Sequence, residues 1–194
     1  MCYAECEGLQ KSSRTQIAED IIVLHFNKKL GQGGAILAGL KVAKGDIIIT
    51  LDADYTVDPL EIPSIILPIT KNNADFVNTS RFVFPMESDA MSFTHKIGNK
   101  IFALIISTIL MKRFTDVFCG TKAFRRQLLL GKLTEKEWPA LDMLFAARKN
   151  NLIIAEVPVH YKARKFGNSK VKTLKTGYFH LRETIVKSIK YYLL

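Results

Sequence analysis

Residues 46–54 read Asp46-Ile47-Ile48-Ile49-Thr50-Leu51-Asp52-Ala53-Asp54, and this segment narrows the choice of fold more than any other. A run of aliphatic residues without polar alternation is the pattern of a strand covered on both faces, the habit of parallel sheets in α/β folds. Ligands of open α/β sheets bind beyond the carboxyl ends of the strands. Two carboxylates delivered there, one residue apart, suit a divalent cation carrying phosphate oxygens. Asp-x-Asp also occurs in solvated turns, so the pair needs support from the rest of the chain.

The flanking pattern supplies part of that support. Residues 20–26 read as a strand, Gly31-Gln32-Gly33-Gly34 follows, a helix is expected from about Ala35 to Lys44, and Gly45-Asp46 turns into the next strand. Strand, glycine loop, helix, strand is a βαβ unit with an expected parallel pair. Asp58-Pro59 suits the start of a helix, which Pro63 and Pro68 should kink or break. Residues 75–80 read as a third strand, 92–112 as a long, mostly apolar helix, 138–149 as a further helix and 152–161 as a strand. In the last segment Leu174, Tyr178, Leu181, Ile185, Ile189 and Tyr192 recur at helical spacing, with Lys187 and Lys190 on the other side. The expected architecture is α/β: a Rossmann-like, mostly parallel sheet flanked by helices over residues 1–172, with a basic amphipathic helix over 173–194.

At 194 residues the chain holds a full hydrophobic core. Its formal net charge of +10 calls for an anionic partner, whether phosphorylated substrate, acidic lipid or nucleic acid. No basic strand face carries clustered base-stacking aromatics, which argues against nucleic acid. Cys2, Cys6 and Cys119 form no paired framework and no zinc-like cluster, which suits a reducing, cytoplasmic compartment. The residues after Met1 do not read as a signal peptide. The longest apolar stretch, residues 101–111, is about half of the roughly 20 residues a membrane span needs. Its basic flanks, like those of the last helix, suit the head-group layer of a membrane.

The glycine loop is not a dinucleotide fingerprint. Gly31-Gln32-Gly33-Gly34-Ala35-Ile36 lacks the last glycine of G-x-G-x-x-G, and the next strand ends in the carboxylate pair rather than in a single ribose-binding acid. A tight strand-to-helix turn, whose amides around Gly33 can hold phosphate, is the remaining reading.

Six segments in order resemble one family. They are Gly31 to Ala35 with Ala43-Lys44-Gly45-Asp46; Leu51-Asp52-Ala53-Asp54; Thr79-Ser80-Arg81-Phe82; Asp116 to Phe124; Glu156-Val157-Pro158-Val159; and Arg164-Lys165-Phe166-Gly167-Asn168-Ser169-Lys170. Together, over residues 20–172, the chain resembles the family 2 glycosyltransferases of GT-A fold, in the dolichol-phosphate (polyprenyl-phosphate) mannose or glucose synthase group. The resemblance implies transfer of a hexose from a nucleotide diphosphate sugar, GDP-mannose or UDP-glucose, to a polyprenyl phosphate on the cytoplasmic face of a membrane. It implies Mg²⁺ or Mn²⁺ at Asp52 and Asp54, with Asp54 central to the chemistry, and a nucleotide-side role for Gly33. Arg81, Arg164, Ser169 and Lys170 become the expected cations and donors for the acceptor phosphate. Asp142 becomes a second catalytic candidate, with a helix-dipole carboxylate as the plainer alternative.

Two departures stand out. The family often places Gln two residues beyond the second Asp, where this chain has Thr56. The strands that usually precede the glycine loop, with their Pro-x-x-Asn-Glu-like and Asp-Asp-Gly-Ser segments, have no counterpart. An N-terminally truncated sheet is therefore expected, one that binds nucleotide sugar poorly alone and needs a missing segment or partner chain. The alternative is a non-catalytic membrane-surface or partner-binding module. A processive polysaccharide synthase does not fit, because the only tryptophan, Trp138, lacks a preceding Gln-x-x-Arg.

Overall fold

The computed structural model describes residues 2–5, 13–18, 21–133, 139–164 and 173–193, with side chains over 21–133, 139–164 and 177–189. Ser169 and Lys170 lie outside these residues, as does Trp138. The elements are β1 (Cys2–Glu5), β2 (Ser13–Ala18), β3 (Ile21–His25), α1 (Gly31–Val42), β4 (Ile47–Thr50), a 3₁₀ turn (Pro59–Glu61), α2 (Ile62–Thr70) and β5 (Phe76–Ser80). They continue with α3 (Phe93–Ile109), β6 (Lys122–Arg125), α4 (Arg126–Leu129), α5 (Pro139–Lys149), β7 (Ile154–Pro158) and α6 (Thr173–Leu193).

The larger sheet has the order β4-β6-β5-β7. Strand β6 runs antiparallel to both β4 and β5, and β5 runs parallel to β7. Strands β4, β5 and β7 thus share one direction, as the aliphatic runs suggested. The pairing is nevertheless mixed rather than mostly parallel, because the reversed β6 is inserted between two of them. Every residue of β5 is buried, as a strand flanked on both edges and covered on both faces must be. On one face Leu40, Ile106, Leu144 and Phe145 of α1, α3 and α5 pack with Phe76 and Phe124, whose rings stack at 6.0 Å. On the other, Ile65 and Ile69 of α2 pack with Val77, Ala123 and Val159. Burying each such side chain stabilises the fold by about 1.5–3 kcal/mol.

Helix α2 tolerates both prolines. Pro63 falls in the first turn, where its missing N–H is no loss, and Pro68 lies two residues before the end. The turn before it is capped by Asp58, whose carboxylate accepts the Leu60 N–H at 3.0 Å.

The expected β3–β4 pair does not form. Strand β3 lies between β1 and β2 in a second, three-stranded sheet. Both of its edges are therefore used, and β4 becomes the edge of the larger sheet. Between the two sheets is a cavity of ≈ 860 Å³ lined by Ile21 and Val23 on one side, Ile47 and Ile49 on the other, and α1 above.

Helix α6 packs on α3 and α5. His180 and Thr184 are buried, and the Lys187 side chain is 12% exposed, while Tyr178, Leu181, Ile185, Val186 and Ile189 face outward. No helix among the described residues is long and apolar enough to cross a membrane.

Candidate active site

Strand β4 ends at Thr50 and releases Asp52 and Asp54 into a turn at its carboxyl end. Three elements fix this turn. The Thr50 hydroxyl donates to the Gly120 carbonyl at 2.7 Å and accepts the Lys122 N–H at 3.1 Å, so the strand end is tied to the loop entering β6. Helix α1 begins with Gly31 at φ +74°, a left-handed backbone that favours glycine. The next residue, Gln32, donates its side-chain amide to Asp52 Oδ1 at 2.9 Å. Gly33 is buried in the first turn of α1, beside this contact, and no side chain caps the helix start.

Asp52 is held close against the backbone. A Cβ at Gly120 would sit 2.5 Å from Asp52 Oδ2. Burial, and then the neighbouring Asp54 carboxylate, push the Asp52 pKa up, because both disfavour a second anion there. Asp54 is anchored differently. Its Oδ1 accepts from the Thr56 hydroxyl at 2.7 Å and the Thr56 N–H at 3.2 Å, and its Oδ2 meets Arg164 Nε at 3.0 Å. Thr56, standing where the family often has Gln, thus orients Asp54. Arg164 is brought from 110 positions away onto the second aspartate of the pair.

Below the site lies a buried polar network. Arg81 is 8% exposed and sends Nε and Nη2 to the Asp116 carboxylate, at 2.5 Å and 2.9 Å. It also lies over the Tyr161 ring, 5.1 Å from the centroid. Burial alone would neutralise both partners, but their mutual attraction wins: Asp116 is held below the usual carboxylate range and Arg81 is raised. Two of the three guanidinium nitrogens expected at an acceptor phosphate are thus engaged inside the protein. Asn78 donates to the Asp116 carbonyl at 2.7 Å and to Glu156 at 3.0 Å, and accepts from Lys122 Nζ. Burial pushes Lys122 down to about 8. The buried Cys119 thiol is pushed up by burial, against use as a nucleophile.

Asp142 stands elsewhere in the contact pattern. It is 8% exposed in the first turn of α5 and pairs with Lys187 of α6 at 3.2 Å. This makes it a tie between two helices. Sequence reasoning missed Gln32 and Gly120 as parts of the carboxylate site; both stood inside quoted motifs without a role.

Among the described residues no group of three or more His, Cys, Asp or Glu side chains could hold a metal ion. Asp52 and Asp54 remain the acidic pair. Their all-oxygen donors, two neighbouring carboxylates, have the chemistry that Mg²⁺ or Mn²⁺ favours.

Residues 4–131 match the glycosyl transferase family 2 model. Undecaprenyl-phosphate 4-deoxy-4-formamido-L-arabinose transferases of Salmonella paratyphi B and Salmonella newport are 34% identical over 159 residues, 80% of this chain. The chain spans 45% of the length of these relatives. Among solved structures, glucosyl-3-phosphoglycerate synthase from Mycobacterium tuberculosis, crystallised with Mn²⁺, uridine diphosphate and glucosyl-3-phosphoglycerate, is 16% identical with a TM-score of 0.63. That match covers 87% of this chain and 60% of the synthase. The same synthase with Mn²⁺, uridine-diphosphate-glucose and phosphoglyceric acid gives 17% identity, a TM-score of 0.63 and the same coverage. With the family model matching well over half the chain, and a glycosyltransferase fold around the acidic turn, this protein belongs to glycosyltransferase family 2 and carries a domain of GT-A fold.

Proposed function

We propose that the chain transfers a hexose from a nucleotide diphosphate sugar to a polyprenyl phosphate, at the cytoplasmic surface of a membrane. The observation that carries this reading is the meeting of Asp54 with Arg164 at 3.0 Å, because it joins the carboxylate turn to the basic loop. Asp52 and Asp54 would hold Mg²⁺ or Mn²⁺, which when bound offsets the negative charge that develops on the departing nucleoside diphosphate. The amides around Gly33, at the uncapped start of α1, are suited to the donor's phosphates.

An acceptor phosphate is already ionised near neutral pH, so it needs placement more than a strong base. Arg164, with Ser169 and Lys170 of the same motif, supplies cations and a hydroxyl for that task. Arg81 braces the floor through Asp116, and Asp142 keeps α6 against α5, so neither needs to touch the reacting atoms. The outward apolar stripes of α3 and α6, flanked by Lys96, Lys100, Lys112 and Arg113, favour a membrane surface.

The edge of β4 that pairs with no strand among the described residues, and the cavity beside it, support a further strand-bearing segment, from this protein or a partner, that completes the sheet and the donor site. Incubation with undecaprenyl phosphate, Mn²⁺ and either UDP-glucose or GDP-mannose, read by mass spectrometry of the lipid, tests the transfer. Asp54→Ala should abolish product and Lys170→Ala should weaken acceptor use; normal transfer by both variants would overturn the assignment. Calorimetry with the same two donors tests the completing segment, since micromolar binding by the chain alone would refute its need.

A further inference from the structure

Each carboxylate of the acidic turn commits one oxygen to the fold. Asp52 Oδ1 accepts from Gln32, and Asp54 Oδ1 accepts from the Thr56 hydroxyl and N–H. Tyr55, between Asp54 and Thr56, has φ +61°, a left-handed backbone that a bulky residue keeps only when its surroundings hold it. Asp54 is therefore fixed, with Oδ2 left for a partner outside the turn. Arg164 Nε holds that oxygen at 3.0 Å. We propose that Arg164 is a latch: in the metal-free protein it stands in for the divalent cation at Asp54, and it must leave when Mg²⁺ or Mn²⁺ binds. The proposal rests on the metal reading above and adds a competitor built into the chain.

The backbone before Arg164 separates this contact from a chance meeting of surface side chains. Every residue from 160 to 163 is tied down. The His160 N–H donates to the Glu61 carboxylate at 3.2 Å, and the Tyr161 carbonyl accepts from the Glu87 N–H at 3.2 Å. The Lys162 N–H donates to the Thr56 carbonyl at 2.9 Å, and its Nζ pairs with Asp58 at 2.8 Å. The Ala163 N–H donates to the Glu87 carboxylate at 2.8 Å. Thr56 thus holds Asp54 with its side chain and the strap with its carbonyl, so both partners of the ion pair depend on one buried residue. The strap can stay in place while the Arg164 side chain, 38% exposed, swings away.

Charge makes the two cations exclude one another. A guanidinium and a dication on the same oxygen repel, and a partly buried site screens that repulsion weakly. Arginine keeps its proton at any working pH, so it yields the oxygen by moving and not by neutralisation. Without a metal, the neighbouring carboxylates of Asp52 and Asp54 repel each other, as the raised Asp52 pKa reflects, and Arg164 offsets part of that charge. A dication offsets it more fully, because it draws on both carboxylates. Once displaced, the guanidinium has lost its carboxylate, so arrival of the metal readies it for an anionic substrate group.

Two measurements on the whole chain test this. Free Mn²⁺, read by electron paramagnetic resonance, should show Arg164→Met binding the ion about two- to fivefold tighter than the native chain, the scale of an ion pair this exposed. Lys162→Met removes an equal charge from the same strap and should leave the affinity as it was. In the native chain, the Arg164 Nε–H resonance, assigned by its loss in Arg164→Lys, should move toward that of a solvated guanidinium as Mg²⁺ is added. Its midpoint should match the one calorimetry gives for Mg²⁺ binding, and this titration decides the matter even where Arg164→Met fails to fold. An affinity unchanged by Arg164→Met, an equal gain from Lys162→Met, or a resonance that stays in place at saturating Mg²⁺ would overturn the latch and leave the metal site standing. Failure of both the native chain and Arg164→Met to bind Mn²⁺ would overturn the metal reading of Asp52 and Asp54, and the latch with it.

Discussion

Gly120→Ala separates the acidic turn from the fold around it. The added methyl would lie 2.5 Å from Asp52 Oδ2, closer than real contacts allow, and a tight 3.1 Å from both Cγ and Oδ1. The obstacle is the tip of a side chain rather than backbone, so relief comes from rotating Asp52 away. Leaving its preferred torsion costs about 0.5–1.5 kcal/mol, and the broken Gln32 hydrogen bond adds about 1 kcal/mol. A destabilisation of roughly 2 kcal/mol leaves a folded protein. The displaced carboxylate, however, no longer stands beside Asp54. Misplacing the support of a metal ligand typically weakens binding about 10–100-fold. Titration with Mn²⁺, followed by the electron paramagnetic resonance of the free ion, should show that loss in Gly120→Ala, with Asp52→Asn as the reference. Unchanged Mn²⁺ affinity in a variant whose unfolding temperature has dropped would refute the packing argument. It would show that Asp52 does not depend on its glycine.

Three other outcomes are expected. Arg81→Met leaves the Asp116 carboxylate buried without its cation and should cost about 3–5 kcal/mol in urea unfolding, whereas the double variant Arg81→Met, Asp116→Leu should recover much of it; a double loss equal to the sum of the losses of Arg81→Met and Asp116→Leu would mean the pair is not coupled. His180, lowered to about 4 by burial against an ordinary value near 6.5, is neutral in the native state. Unfolding therefore takes up a proton between these values, so stability falls as pH drops from about 6.5 to about 4, by up to about 3 kcal/mol. His180→Phe should flatten that limb of the pH profile, and a profile identical to the native one would exclude His180 as its source. In flotation, vesicles containing anionic lipid should carry the chain upward more than neutral ones, and Ile185→Asp with Leu181→Asp should lower the bound fraction; indifference to both would remove the membrane role of α6.

The carboxylate turn was legible because it depends on local order: an aliphatic run, then Asp-Ala-Asp. The long helices and β3, β5 and β7 were legible for the same reason. Strand β6 was not, since four residues bounded by Lys122 and Arg125 carry no period to read, and its burial comes from strand partners 44–78 positions away along the chain. The reversed β6 is what made the sheet mixed. Gln32, Thr56 and Gly120 act through approach distances that no one-dimensional pattern announces. Arg81 stood in a recognised motif, but its partner Asp116 lies 35 residues on, so only the fold reveals it as a brace.

Helix α6 shows why a period is less than a direction. Spacing of three and four specified an apolar stripe, and a water-soluble packing rule would turn that stripe inward. The helix does the reverse. His180, Thr184 and Lys187 are taken inside, where Lys187 needs Asp142 and Glu183 to offset its charge. Tyr178, Leu181, Ile185 and Ile189 are left outside, each forgoing part of the roughly 1.5–3 kcal/mol that full burial provides. An arrangement that puts the charged group in and the aliphatic groups out gains in water only if a second apolar medium covers the stripe. Helix α3, which packs against α6, turns Phe93, Ile97, Ile101 and Leu104 outward as well. Two adjacent helices that each turn an apolar line outward, on a chain of net charge +10, have the character that an oily and anionic medium would cover, which is the reading that the flotation experiment tests.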